Sequence, residues 1–430
     1  MKQLTVVGAG WAGIAAAVAA TQTGWHVRLF EAAPVAGGRA RRLSQTFAGQ
    51  PLDNGQHILI GAYTNTLALM HTVGLNPDAL LQRVPLDVRF ADGSGLCLPA
   101  WPMPFNLLAG VARAQAWTRS DKVNLFQAAW QWQRARFACD ARWTVSNLCA
   151  HTKLNPKVVQ QLIEPLCLSA LNTPMRQASA IIFLRVLHDA LWGGPGSSDL
   201  LLPRADLGTL LPDAGLKWLH AQGADIHLGK RLKANEVTDL QHQAATDPTQ
   251  AVLLACPAWE AARLSADIAP HWADSSAELA HTAIATVYLH CTDTRFAGLP
   301  RPMVALHSDA QAPAQFVFDR GALNAQPGLL AAVSSACDTA RHELTEQVHS
   351  QVCQQLKLTD VRVVQTVIEK RATIACTPWA KRPEAVVADG LWACGDYIQG
   401  PYPSTLEGAV RSGQHVVAQL SQVADRQRLR

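Results

Sequence analysis

The segment Gly8-Ala9-Gly10-Trp11-Ala12-Gly13, set between a short apolar run and an alanine-rich one, constrains this chain more than any other feature. Gln3 to Val7 reads as a strand, Ala12 to Thr23 as a helix and Val27 to Glu31 as a second strand, which together make a βαβ unit. Each glycine has its own reason. Gly8 permits a tight turn, Gly10 removes a side chain where backbone must approach a pyrophosphate, and Gly13 lets helix and strand pack closely. The helix start, with Trp11 and Ala12, offers unpaired N–H groups and partial positive charge to an anion. Glu31 ends the second strand, where its carboxylate can accept the hydroxyls of an adenosine ribose and would repel a 2′-phosphate. The unit is therefore read as a dinucleotide site that disfavours NADP. A glycine turn alone arises by chance; here strand, helix, second strand and terminal acid are all in place.

The remaining composition narrows the options. At 430 residues the chain is long enough for two domains. It is 49% hydrophobic and only 16% charged, below the usual quarter, with a net charge of +4 and no basic blocks, so no nucleic acid is expected as a partner. The ten cysteines are scattered without a CxxC pair and read as reduced, buried side chains. The fifteen histidines show no HExxH spacing, and no metal is expected; His57 reads as a pocket or core histidine. There is no GxSxG elbow and no P-loop. The strand begins directly after Met1, which argues against a signal peptide and for a cytoplasmic protein. No apolar run is long enough to span a bilayer, leaving peripheral contact with the inner membrane face open.

Two further groups of residues decide between nicotinamide and flavin. Gly37-Gly38-Arg39 and Asp53-Asn54-Gly55-Gln56-His57 follow the βαβ unit. Near the far end, Gly395-Asp396 leads to Pro403-Ser404-Thr405-Leu406-Glu407-Gly408-Ala409. A strand ending in Gly395-Asp396 can set a backbone N–H and a carboxylate beside a ribityl chain, and a helix opening near Thr405 and Leu406 can aim its N-terminus at negative charge on a flavin ring. FAD, held non-covalently, is the expected cofactor, with Gly38, Arg39, Gly55, Gln56 and His57 in its pocket.

These residues resemble the flavin amine oxidase and phytoene desaturase superfamily, with its GxGxxG, E(x5)GGR, and C-terminal GD followed by a TxEGA helix start. The run Glu164 to Pro174, Ala178-Ser179-Ala180, Leu200 to Arg204, Leu207-Gly208, Glu369 to Thr373 and Gly400 to Gly413 are similar to the hydroxysqualene dehydroxylase family, also called squalene-associated FAD-dependent desaturases. That resemblance implies a bacterial enzyme of squalene and hopanoid supply, which replaces the hydroxyl of a C30 isoprenoid, hydroxysqualene, with a hydride from reduced FAD. It also implies an external electron donor, for which an NAD(P)H-linked one is a candidate. An oxidative isoprenoid desaturase or amine oxidase on the same scaffold, and a non-catalytic isoprenoid-binding flavoprotein, stay open as alternatives.

Such a reaction needs an acid for the departing hydroxyl. Glu164, beside Pro165, and Tyr402, before the flavin-facing helix, are the catalytic candidates; an ion-paired or capping glutamate and a packed aromatic are the plain alternatives. Trp379 and Tyr397 offer π faces to a cation, and Arg371 offers a guanidinium to an anion. Leu98 to Trp117, with Trp101, Met103, Phe105, Leu107 and Leu108 near Arg113 and Arg119, reads either as a membrane-interfacial segment or as core. The expected fold is α/β. A Rossmann-type FAD domain of parallel sheet and helices (1–70, 200–270, 380–430) interleaves with an α+β substrate domain (71–199, 271–379). Strands are expected at Ala251 to Pro257 and Thr282 to His290, a helical pattern within Leu329 to Cys353, and a mobile tail over Ser421 to Arg430.

Overall fold

In the computed structural model, which describes residues 2–428, the strand Lys2–Val7 lies inside a six-stranded sheet. The strand order is Val386–Ala388, Leu391–Ala393, Gln250–Leu254, Lys2–Val7, Trp25–Glu31 and Asp225–Leu228. All pairings are parallel except at the Val386–Ala388 edge. Leu4 to Val7 and Ala251 to Leu254 are buried without alternation, as expected of parallel strands covered on both faces.

One cover is the helix Trp11–Gln22, buried on nearly every side. Its alanines leave room for the C-terminal helix Leu406–Arg428 to pack on its outer face. The approach is so close that a Cβ on Gly413 would lie 2.4 Å from the Ala12 carbonyl oxygen. The segment expected to be a mobile tail instead continues this helix through Arg428; Leu429 and Arg430 lie outside the described residues.

A second, antiparallel sheet orders Met303–Ala305, Phe316–Asp319, Leu329–Ser335, His281–Cys291 and Val361–Ile374. Tyr288, Phe316, Phe318 and Ala331 join a core with helices drawn from residues 119–192, and Val287, Leu289, Val317 and Leu330 pack against the helix Arg341–Leu356. The helical pattern expected within Leu329 to Cys353 is the helix Arg341–Leu356, and ahead of it Leu329–Ser335 is strand. Its run Leu-Leu-Ala-Ala-Val-Ser-Ser is too uniformly small and apolar for periodicity to separate strand from helix. Leu200–Pro203 pairs with Leu59–Ile60 and Leu81–Val84 in a separate three-stranded sheet.

A buried ion pair joins the N-terminal hairpin to the second sheet. Asp53, closing the strand Gln50–Asp53, sits 3.3 Å from Arg320, with the two side chains 2% and 1% exposed. The Leu207 N–H donates to the Asp53 carboxylate, and Arg320 donates to Gln56 and Gln326. Removing one member strands a charge in a low-dielectric interior, which costs more than the pair itself contributes. Asp53→Asn and Arg320→Met should therefore each lower unfolding free energy by about 3–5 kcal/mol in urea titrations. The double variant should lose less than the sum.

Candidate functional site

Between the two sheets runs a cavity of about 700 Å³. Its floor follows from the first βαβ unit. Gly13 could carry no side chain, since a Cβ there would lie 1.9 Å from the Gly8 carbonyl oxygen; this is the close strand-to-helix packing expected of the fingerprint. Gly10 is different. Its Cβ would meet nothing nearer than the Gly38 Cα at 3.9 Å and would project into the gap between two glycine loops, which are tied by the Gly37 N–H to the Ala9 carbonyl. No side chain caps the helix start at Gly10, so Trp11 and Ala12 border the cavity with first-turn N–H groups available to an anion. Glu31 also borders it, its carboxylate steadied by the Ala9 and Ala33 N–H groups, both at 2.8 Å.

The remaining expected cofactor residues meet the same cavity. Gly8, Gly38, Arg39, Gly55, Gln56, His57, Gly395, Asp396, Thr405 and Leu406 all line it, whereas Gly13 lies behind it. Arg39 is the junction: it donates to the Asp396 carboxylate and to the Ala372 carbonyl at 2.7 Å. Burial disfavours its charge, but Asp396 outweighs that and holds the guanidinium above its ordinary value. Thr405 caps the C-terminal helix through the Gly408 N–H. Burial, aided by Arg39, pulls His57 below its ordinary value against the opposing effect of the Gly55 carbonyl, which lies 3.0 Å from Nδ1.

The two catalytic candidates lie elsewhere. Glu164 opens the helix Glu164–Leu171 just after a π turn, Val159–Ile163, and its side chain is exposed, away from the cavity. Pro165 explains the turn, because it lacks an N–H and its ring crowds the preceding backbone. Tyr402 is also outside the lining; its hydroxyl donates to Asp189 at 2.7 Å and its ring carries the Arg411 guanidinium. Neither geometry supports the acid role. Trp379 is exposed and Arg371 stacks on Trp259, 4.7 Å from the ring centre. Tyr397 does line the cavity.

Several lining residues went unassigned by sequence. Asn172 ends a helix in the left-handed conformation and donates to Thr282 and Thr373 while accepting the Ala336 N–H, pinning three segments together. An asparagine just after a helical run was a usable signal. Ile284, Phe316, Phe318 and Val333 make an apolar wall, half-announced by the alternation in Thr282 to His290. Glu369 also lines the cavity and accepts the Asn54 amide at 3.1 Å.

A βαβ nucleotide unit whose pocket is completed by the far end of the chain defines a flavoprotein oxidoreductase. The chain belongs to the flavin containing amine oxidoreductase family, whose pattern matches residues 11–421. It is similar to the hydroxysqualene dehydroxylases of Zymomonas mobilis subsp. mobilis (25% identity; 96% of this chain, 98% of that protein) and Rhodopseudomonas palustris (26%; 96% of each). Its fold is shared with an oxidoreductase from Methanosarcina mazei at a TM-score of 0.67 and 16% identity, covering 97% of this chain and 100% of that one.

The residues fit a flavin. The gap at Gly10 is one a Cβ would fill, the helix start beside it is uncapped, and the Tyr397 hydroxyl on the wall is buried without a protein partner. Gly10→Val should leave thermal stability near wild type and abolish the flavin absorbance of the purified protein. Gly13→Ala should instead destabilise the fold by about 1–3 kcal/mol through overpacking. Calorimetry and visible spectra on both variants check the contrast.

Proposed function

We propose that this chain is a hydroxysqualene dehydroxylase, which replaces the hydroxyl of a C30 isoprenoid alcohol by hydrogen using non-covalently held FAD. The observation that carries this reading is the continuity of one cavity from the glycine loops to the apolar wall of Ile284, Phe316, Phe318 and Val333. Similarity to the hydroxysqualene dehydroxylases over 96% of the chain supports it. Gly8, Gly10 and the N–H groups of Trp11 and Ala12 would take the pyrophosphate, and Glu31 the ribose hydroxyls. Gly395, Asp396 and the helix start at Thr405 and Leu406 would take the ribityl and ring end, with Gly38, Arg39, Gly55, Gln56 and His57 around them. Reduced FAD, replenished by an external two-electron donor such as a nicotinamide system, supplies a hydride.

The chain's own residues do the rest. The apolar wall holds the hydrocarbon and excludes water from the carbon that loses its hydroxyl. Cofactor residues are read as belonging to 1–70, 200–270 and 380–430, and substrate residues to 71–199 and 271–379. Support for this division comes from the six-stranded sheet, drawn from 2–31, 225–254 and 386–393, and from the five-stranded sheet, drawn from 281–374.

A C30 hydrocarbon gains about 0.8 kcal/mol per CH₂ on leaving water, so its reservoir is a bilayer. No helix among the described residues is long and apolar enough to cross one. Peripheral attachment on the cytoplasmic face is therefore proposed, through the helix Phe105–Arg113 and the loop before it. Trp101, Phe105 and Leu108 are 50%, 60% and 48% exposed, and Arg113 sits over the Trp101 ring at 5.2 Å. Leu98 and Trp117, at the ends of the same segment, are core. Trp101→Ser with Phe105→Ser should cut cosedimentation with anionic phospholipid vesicles severalfold and leave flavin content unchanged.

The catalytic proposal is tested anaerobically. Dithionite-reduced protein given hydroxysqualene should recover its oxidised flavin absorbance as squalene forms in equal amount. A spectrum that stays bleached, with no squalene, would sink the reading.

A further inference from the structure

Among the described residues, the carboxylates lining the cavity are Glu31, Glu260, Glu369 and Asp396. Three are committed. Glu31 accepts two backbone N–H groups, Glu260 is paired with Arg231 and Arg263, and Asp396 with Arg39. Glu369 differs. Its hydrogen bond is to a neutral amide, Asn54 Nδ2 on Oε2, and the Arg39 guanidinium acts on it only through space, with no hydrogen bond between them.

Its position is equally particular. Glu369 lies on the long strand Val361–Ile374 directly opposite Ile284, in the same wall region as Phe316, Phe318 and Val333. Immediately beyond it the ladder breaks register: Ile284 pairs with Glu369 but Thr282 pairs with Thr373, so Lys370, Arg371 and Ala372 face a single residue on the partner strand. Bulges of this kind bend a strand and re-aim a side chain. The bulge also delivers the Ala372 carbonyl to Arg39. Asn54, the amide partner, is the residue after the Asp53 anchor and donates as well to the Arg39 carbonyl. Glu369 is thus held from two sides at the junction of the cofactor pocket with the apolar wall.

We infer that Glu369 is the catalytic acid of the proposed dehydroxylation, an inference that rests on that reading of the function. The C–O bond breaks with its electron pair going to oxygen, the Glu369 carboxyl proton joins that oxygen, and water leaves. Reduced FAD, held by the cofactor residues, would supply the hydride to the carbon, so that the alcohol would be reduced and the flavin oxidised, while the Glu369 carboxylate regains its proton from water. Asn54 is a positioning residue that fixes which carboxyl oxygen faces the wall.

The test uses the flavin-loaded full chain. Glu369→Gln keeps the shape and the amide contact but has no acidic proton. E369Q should show the wild-type flavin spectrum, and hydroxysqualene should perturb that spectrum at the wild-type concentration. Single-turnover squalene formation by the dithionite-reduced protein should fall about 10²–10⁴-fold. The acetate ester of the same alcohol, whose leaving group departs as an anion without protonation, should react at similar rates with E369Q and wild type. Glu369→Asp, which keeps an acid one methylene further back, should fall between the two. Glu164→Gln, at an exposed side chain outside the cavity lining, should match wild type throughout.

Wild-type turnover alongside equal turnover by E369Q would overturn the role of Glu369 and leave the function standing, as would an ester reaction slowed as much as that of the alcohol. If wild type itself leaves hydroxysqualene unchanged, the function falls and this role with it.

Discussion

Arg39 is the group on which the site depends. A guanidinium can be kept in a half-buried position only if oxygens replace the water it gives up, and those oxygens come from distant parts of the chain. The Asp396 carboxylate belongs to the loop before the C-terminal helix and the Ala372 carbonyl to the end of the five-stranded sheet. Satisfying one cation therefore fixes the mutual position of the first glycine loops, the closing loop and the bulged strand. The cavity is the space left between them.

The Asp53–Arg320 pair does related work one layer deeper. Arg320 also donates to Gln56, so the same buried charge that anchors the hairpin orients a side chain on the cavity wall. Tyr288, whose hydroxyl donates to the Asp53 carbonyl, adds a rigid aromatic from the second sheet. A pocket shared between two sheets needs its walls registered to a fraction of an ångström to hold a reacting carbon, and buried polar networks supply a directionality that apolar packing lacks.

What could be read in the sequence follows from what is local. Glycine spacing, strand length and the terminal acid act over a few residues, so the βαβ unit was legible, and the residues expected at a cofactor meet in one cavity, with Gly13 packed just behind it. The substrate end was not. Glu164 drew attention through its neighbours in sequence, yet a π turn and Pro165 leave it facing out. Glu369 opens the family-like run to Thr373, but nothing in that run marks it as a cavity residue. Its meaning comes from a bulge, from Ile284 across the ladder and from Asn54, which is 315 positions away in the chain. The strand Leu329–Ser335 escaped assignment for the opposite reason, since short runs of small apolar residues satisfy helix and strand alike.

The packing of the C-terminal helix on the first helix, with Gly413 against Ala12, also has a temporal side. A ribosome releases residues 2–31 long before 391–428, and domains otherwise tend to form from the N-terminus onward. Here the first helix lacks its Leu406–Arg428 cover, and Arg39 its Asp396 partner, until residues 391–428 emerge. A cavity that needs both is thus assembled only after residues 391–428 have been made. A chain interrupted before residue 391 would carry the glycine fingerprint without the Asp396 and Gly413 that complete its surroundings.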